Sequence, residues 1–273
     1  KLYVINDGKK AVIHVGDSKE GWVEALRLFL RIHTEKEYED ITQIGIFYDY
    51  IRPQGARLHT FGGTASGHEP LKEMFEGITK VFRNEIDNTL APLEDAGNGY
   101  KYVRPIHVLD IGNLIGNNVV VGGVRRTAEI FLMDADDYEC IFAKYGINGI
   151  WDVEQHEKVI GLVGEMGLND LANKLAELEP NNPNARPLHH RRMSNNSIAF
   201  ESKPSREQLN LIFEMMKAEG EPGFVNLEEA RRRRPNAEGL NPCVEIILDS
   251  YGVCNLTTVN LVQFVKENEQ GEN

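Results

Sequence analysis

The stretch SIAFESKPSREQLNLIFEMMKAEGEPGFVNL, residues 197–227, decides the fold class. Ser197 to Phe200 is a short β-prone run, Arg206 to Glu219 carries apolar residues at helical spacing and stops at Gly220, and Phe224 to Leu227 is β-prone again. Strand, helix and strand in succession predict an α/β arrangement. Upstream, Trp151 to Leu178 reads as amphipathic helix, and Glu179-Pro180-Asn181-Asn182-Pro183-Asn184 breaks it, which marks residues 149–187 as an inserted helical segment. Ala128 to Met133 reads as a strand, and the apolar stretch Val108 to Val121 as a deeply packed helix from about Leu109. Leu71, Met74, Phe75, Ile78, Val81, Phe82 and Ile86 make a helical stripe over residues 69–88. Near the start, Asn6-Asp7-Gly8 between two β-prone runs, Leu2 to Ile5 and Ala11 to Val15, predicts a hairpin. Asp17 and Glu20 have capping-box spacing ahead of a helix to about His33, with Trp22, Ala25, Leu26, Phe29, Leu30 and Ile32 on its apolar face. Ile44 to Tyr48 follows as a buried strand.

Composition excludes several classes. Over 273 residues, 41% hydrophobic and 26% charged residues are the balance of a globular chain with room for one large domain or two. A net charge of -12 opposes non-specific attraction to DNA or to anionic membranes. No apolar run approaches a membrane span, and no signal-peptide pattern follows Lys1, so a cytoplasmic protein without membrane or direct nucleic-acid partners is expected. Cys140, Cys243 and Cys254 form neither a disulfide framework nor a zinc spacing, and His189-His190 has no partners at metal-ligand spacing, so no metal site is expected. Arg231 to Arg234 follow Glu228-Glu229 at helical pairing distances and read as a solvated face. A first residue other than Met and a polar tail ending at Asn273 suggest a piece of a longer chain.

The densest chemical signal is Asn241-Pro242-Cys243-Val244-Glu245, with Cys254 following. Taken alone, Cys243 reads as a small buried hydrophobe beside a turn-forming Asn-Pro pair. Gly62-Gly63 and Gly122-Gly123 fit neither a Walker nor a Rossmann spacing and alone read as turns.

Taken together, these segments resemble ribonucleotide reductases. The stretch from Gly239 to Leu248, with Cys254-Asn255-Leu256-Thr257 beyond it, is similar to that family's active-site finger loop. Three further segments, in the same order, resemble its monomeric, adenosylcobalamin-dependent triphosphate branch: Arg52-Pro53-Gln54-Gly55 through Gly62-Gly63-Thr64-Ala65-Ser66-Gly67, Gly122 through Glu129, and Ser194-Asn195-Asn196-Ser197. The resemblance implies part of a ten-stranded α/β barrel with an inserted, mainly helical effector region. Residues 1–148 would hold that effector region and the first part of the barrel, and residues 188–273 the barrel strands with the finger loop.

The implied activity is reduction of ribonucleoside triphosphates to 2′-deoxyribonucleoside triphosphates, a step in supplying DNA precursors. By the resemblance Cys243 becomes a thiyl radical that removes the ribose 3′ hydrogen. Glu245 would be general base toward the 3′ hydroxyl, Asn241 would orient a sugar hydroxyl, and Cys254 would be half of the reducing dithiol. In extended backbone, residues 241, 243 and 245 would share a face. The radical needs a dry setting, and Ile246-Ile247-Leu248 is the run expected to anchor the loop in a core. Arg52, Gly55, Gly62, Gly63, Ser66, Gly122, Gly123, Arg125 and Arg126 would form the loops that sense a deoxynucleotide effector, and Asn195, Asn196 and Ser197 would contact substrate. Adenosylcobalamin would be the cofactor, held mostly by residues outside this chain, and a thioredoxin-like protein the reductant; the complete enzyme would be a monomer and this piece alone inactive. Cys140 reads as packing. Val244 stands where the family usually has glycine, and a β-branched residue resists positive φ. Two other readings stay open: the same chemistry with a different radical source, and a nucleotide-binding regulatory piece that does not catalyse.

Overall fold

The computed structural model describes residues 1–5, 8–58, 62–121, 124–125 and 127–264. Strand β1 (Leu2–Ile5) pairs antiparallel with β2 (Lys10–His14), and β2 pairs in parallel with β3 (Gln43–Phe47) after the helix α1 (Lys19–Thr34) crosses between them. The first two turn residues expected of the hairpin, Asn6 and Asp7, lie outside the described residues. Ser18, not Asp17, caps α1: its hydroxyl accepts the Gly21 N–H, while the Asp17 carboxylate takes the Arg52 guanidinium instead. Gly21 is required here, since a Cβ would stand 2.6 Å from the Gly16 carbonyl oxygen.

Helix α2 (Glu69–Phe82) buries the expected stripe but ends six residues before Asn88, because Asn84 takes a left-handed φ of 55°. A small hairpin, β4 (Asp95–Gly97) with β5 (Tyr100–Lys101), leads into α3 (Pro105–Asn118). That helix starts earlier than Leu109 because Pro105 suits a first helical position, and it stops at Asn118, so Val120–Val121 leaves it as β6 to pair with β7 (Val124–Arg125). Side chains of α1 and α2 meet β2 in one core built on Ile13, Phe29, Met74 and Ile78, with Ile111, Leu114 and Ile115 of α3 packed against it.

A second core lies under a three-stranded parallel sheet. Strand β8 (Glu129–Met133) is followed by α4 (Tyr138–Ile141), α5 (Val153–Glu165) and α6 (Asn169–Ala176) before β9 (Ser194–Phe200); α7 (Arg206–Glu219) then returns the chain to β10 (Gly223–Asn226). The expected strand–helix–strand alternation is therefore present, with β9 central. Gly220, at φ 72°, ends α7 as a left-handed cap. The single helix expected from Trp151 to Leu178 is two, because Gly167 at φ 78° turns the chain between them. Val159 and Val163 of α5 and Leu175 of α6 sit in the same core as Ile106, Leu109 and Ile198.

Helix α8 (Leu227–Arg233) carries the arginine run on a paired surface: Glu229 holds Arg232 and Arg233, Glu201 holds Arg231, and Asp249 holds Arg234. The chain then makes a two-stranded hairpin, β11 (Gly239–Leu240) with β12 (Ile247–Leu248). The architecture is mixed α/β, and the strands close no barrel among the described residues. No helix among them is long and apolar enough to cross a membrane.

Candidate functional site

Two regions carry the expected residues. The first is a cavity of about 590 Å³ between the start of α1, the loop after β3 and the end of α3. Its walls are mostly apolar, with Trp22, Leu26, Leu71 and Ile115 among them, and its polar groups include Ser18, Lys19, Arg52 and Ser66. The loop is folded on itself by Gly55 N–H to Ala65 C=O, Ala65 N–H to Ala56 C=O and Leu58 N–H to Gly63 C=O bonds. Gly55, Gly62, Gly63 and Gly67 all have positive φ, and Gly67 is also pressed against Gln54, whose backbone nitrogen would lie 3.2 Å from a Cβ. Arg52 and Ser66 therefore both line the cavity, together with Asp17 and Glu20. Val124–Arg125 forms β7, while Gly122, Gly123 and Arg126 lie outside the described residues.

At the far end of α3, Asn118 also faces this cavity, only 8% exposed, and its carbonyl oxygen has no hydrogen-bond partner among the described residues. Neither Asn118 nor Trp22 was predictable as a site residue. Trp22 reads as one position of an apolar stripe, and a terminal helix asparagine carries no pattern.

The second region is the tip of the β11–β12 hairpin, residues 241–246. Asn241 is buried; its side-chain oxygen accepts the Ile246 N–H at 3.0 Å and its amide donates to the Cys254 sulfur at 3.6 Å. Asn241 and Cys254 are thus brought together. The backbone between is a turn, closed by Val244 N–H to Asn241 C=O at 2.9 Å, with Val244 at φ 70°. Residues 241, 243 and 245 are consequently not on one extended strand, so alternation gives no reason for Cys243 and Glu245 to share a face. Val244 thus occupies a left-handed conformation that suits glycine. Cys243 and Glu245 are exposed, and Ile246, Ile247 and Leu248 are only half-buried, so within this chain the loop tip is not anchored in a core. Cys140, by contrast, is fully buried in the main core, and burial, reinforced by the neighbouring Asp137, pushes its thiol far above the ordinary range. It is a packing residue.

Strand β9 reaches the second region. Exposed Asn195 donates to the Pro242 carbonyl at 2.6 Å, which ties the expected substrate strand to the residue before Cys243. Asn196 and Ser197 point the other way or inward and are buried; Asn196 accepts from the Ser194 hydroxyl. They support the strand and offer no free polar face.

Beneath β9 lies a charged cluster that no sequence pattern announced. Arg191 is fully buried, donating to both oxygens of Asp110 at 2.7 and 2.8 Å, to Asp87 at 2.9 Å and to the Ala143 carbonyl. Arg186 adds a bond to Asp87, and His190 one to Asp110 at 2.6 Å. Burial pushes both aspartates up, but the surrounding guanidiniums and hydrogen bonds outweigh it and leave them below the usual carboxylate range. His190 is thus held by a carboxylate, and no group of three metal-ligating side chains occurs among the described residues.

Comparison with known proteins agrees with this layout. Residues 2–82 match the family model described as B12-dependent ribonucleotide reductase, insertion domain, and residues 151–273 match ribonucleotide reductase, barrel domain. The chain is similar to adenosylcobalamin-dependent ribonucleoside-triphosphate reductases of Lacticaseibacillus paracasei, at 33% identity over 92% of this chain, and of Lactobacillus leichmannii, at 31% over 95%. It covers 28% and 30% of those relatives, so it spans less than a third of their length. A crystal structure of a B12-dependent, class II ribonucleotide reductase superposes with a TM-score of 0.61 at 28% identity, over 90% of this chain and 28% of that one.

Proposed function

Because the chain belongs to the B12-dependent ribonucleotide reductase family, we propose that it is a core piece of an enzyme that reduces ribonucleoside triphosphates to 2′-deoxyribonucleoside triphosphates. The observation that carries this reading is the Asn195–Pro242 bond, which puts the substrate-strand motif against the finger-loop motif although 47 residues separate them. In this reading β8, β9 and β10 are consecutive strands of the ten-stranded barrel, residues 1–148 contain the effector region, residues 149–187 the helical segment, and residues 188–273 the strands leading to the finger loop.

Cys243 is the hydrogen-abstracting sulfur, Glu245 the base toward the 3′ hydroxyl, and Asn241 an orienting amide. Glu245 rests on the family resemblance, since the turn at Val244 removes the geometric argument. Asn241 is better supported: its oxygen is spent on Ile246, while its amide reaches toward Cys254 and so sits beside the candidate reducing thiol. The exposed position of Cys243 suits a thiol whose dry enclosure is supplied by other parts of the longer enzyme. Reduction of the 2′ carbon releases water and consumes two electrons, for which Cys254 is one thiol of the dithiol; a thioredoxin-like reductant would restore it. The adenosylcobalamin cofactor is a different matter. The cavity of about 590 Å³ has no lining residue from the Cys243 loop, so the cofactor is assigned to parts of the enzyme beyond this chain and no step is routed through it. The cavity, bearing Arg52 and Ser66, is the effector site, for a deoxynucleoside triphosphate with phosphates near Arg52 and the base among the apolar walls.

A second reading, a regulatory piece that binds nucleotide without catalysing, is favoured by one observation: the formed cavity is on the effector side while Cys243 faces solvent. One experiment separates the two. The complete polypeptide containing this chain is assayed with a ribonucleoside triphosphate, adenosylcobalamin and a dithiol, as wild type, Cys243→Ser and Cys140→Ser. Catalysis by this piece predicts loss of deoxynucleotide product in Cys243→Ser only. Product formation that survives Cys243→Ser refutes the assignment.

A further inference from the structure

The tip of the β11–β12 hairpin is held from within and from without. Its internal bonds converge on Asn241: Val244 N–H reaches the Asn241 carbonyl at 2.9 Å, Ile246 N–H the Asn241 side-chain oxygen at 3.0 Å, and Asn241 N–H the Ile246 carbonyl at 3.2 Å. These fix the base of the turn. The bond from outside comes from Asn195, whose amide donates to the Pro242 carbonyl at 2.6 Å. That carbonyl belongs to the planar peptide unit whose nitrogen is that of Cys243. The ring of Pro242 locks its φ, which leaves ψ as the one soft dihedral that tilts this plane. Holding the carbonyl therefore holds the plane from which the Cys243 side chain departs.

Asn195 is itself mounted on a rigid support. Its neighbour Ser194 is buried and bonded at every polar group: the N–H donates to the Asn113 side-chain oxygen at 2.9 Å, the hydroxyl receives the Asn113 amide at 3.0 Å, and the carbonyl takes the Lys144 ammonium. On the other side Asn196 is buried, and β9 lies between β8 and β10. Of residues 195–197, Asn195 alone is exposed, and its amide is spent on the hairpin tip. Resting on the catalytic reading of Cys243, we infer that Asn195 is a positioning residue and not a substrate contact: its amide sets the tilt of the peptide between residues 242 and 243, and so the direction of the Cys243 sulfur. The demand on that direction is steep, because hydrogen transfer needs close, aligned atoms and a misplacement of about 1 Å costs about a hundredfold in rate.

The test uses the complete polypeptide containing this chain, with a ribonucleoside triphosphate, adenosylcobalamin and a dithiol, as wild type, Asn195→Asp, Asn195→Gln and Cys243→Ser. Asn195→Asp keeps the side chain's size but sets a carboxylate oxygen against the Pro242 carbonyl, whereas Asn195→Gln keeps an amide donor. In Asn195→Asp kcat falls by about 10- to 100-fold while KM for the nucleotide stays within about twofold of wild type, and Asn195→Gln recovers part of kcat. In the 273-residue chain, hydrogen exchange at the Val244 amide is faster in Asn195→Asp than in wild type while the amides of α7 are unchanged, which marks a loosened tip on an intact sheet. If Asn195→Asp lacks a native circular dichroism spectrum, Asn195→Leu takes its place with the same expectations. A KM that rises by more than kcat falls marks Asn195 as a substrate contact and overturns the proposal. An unchanged kcat, unchanged exchange at Val244, or a kcat that Asn195→Gln leaves as low overturns it as well. Product formation that survives Cys243→Ser instead overturns the catalytic reading itself, whatever the Asn195 variants do.

Discussion

Replacing Arg191 by methionine should be among the most damaging single substitutions in this chain. The guanidinium is fully buried and makes four hydrogen bonds, three of them to the carboxylates of Asp87 and Asp110. With Arg186, the cluster holds two positive and two negative groups; methionine fills the volume but leaves a net negative charge inside, with Asp110 keeping only His190. Removing one partner of a buried ion pair costs about 3–5 kcal/mol, chiefly as the penalty of the stranded charge. The assay is urea unfolding of the chain, followed by circular dichroism, for wild type and variant. The loss must depend on pH. Asp87 and Asp110 have depressed folded values, so in the wild type their contribution is present above the ordinary aspartate range, near 3.9, and is lost as pH falls through the folded values. In Arg191→Met those carboxyls protonate readily, so the gap between the proteins is widest near pH 7 and narrows toward pH 4. Adding Asp110→Leu to Arg191→Met should recover part of the loss, because an apolar pair strands no charge. A cost under about 1 kcal/mol at pH 7, or one that does not change with pH, would refute the account of this cluster as paired buried charge.

Other expectations are as direct. Gly21→Ala places a methyl 2.6 Å from the Gly16 carbonyl oxygen and should cost about 1–3 kcal/mol by forcing the start of α1 away from its entry loop; an unchanged melting temperature would contradict the close approach. Val244→Gly relieves a left-handed β-branched residue and should leave stability unchanged or raise it by up to about 1 kcal/mol, whereas a clear loss in urea titration would show that φ 70° is not populated. In the native chain at pH 8, iodoacetamide should modify exposed Cys243 well before Cys140, whose burial both shields it and raises its thiol; comparable rates at the two sites would mean that the main core opens readily.

Where the fold follows from periodicity, it can be read without coordinates. The apolar stripes of α1, α2 and α7 become Phe29, Ile78 and Leu211 in the cores, and the alternation around Arg206 to Glu219 places β9 between its neighbours. What periodicity misses are breaks set by single residues: Asn84 ends α2, and Gly167 splits the helix expected after Trp151. At the site, motif resemblance locates Asn195 and Asn241 in the finger-loop neighbourhood, but the turn at Val244 overrides the extended backbone that alternation assumes. The Arg191 cluster was invisible because its partners stand 81 and 104 residues away, and no local pattern reports pairing at that distance. Asn118 and Asn113 were equally silent, since an asparagine within a helix says nothing about what its amide meets.

Among the described residues the parallel sheet ends in two outer strands, β8 and β10, with no further strand paired to their outer sides. In a larger assembly those margins are docking rails for further strands. In the chain by itself they are templates for self-pairing, the more so because β10 shows Phe224 at 42% exposure next to its margin. Handled at high concentration, the piece should gather into oligomers through these edges, and Phe224→Lys should suppress that association at the cost of the ring contacts with Phe200 and Phe213.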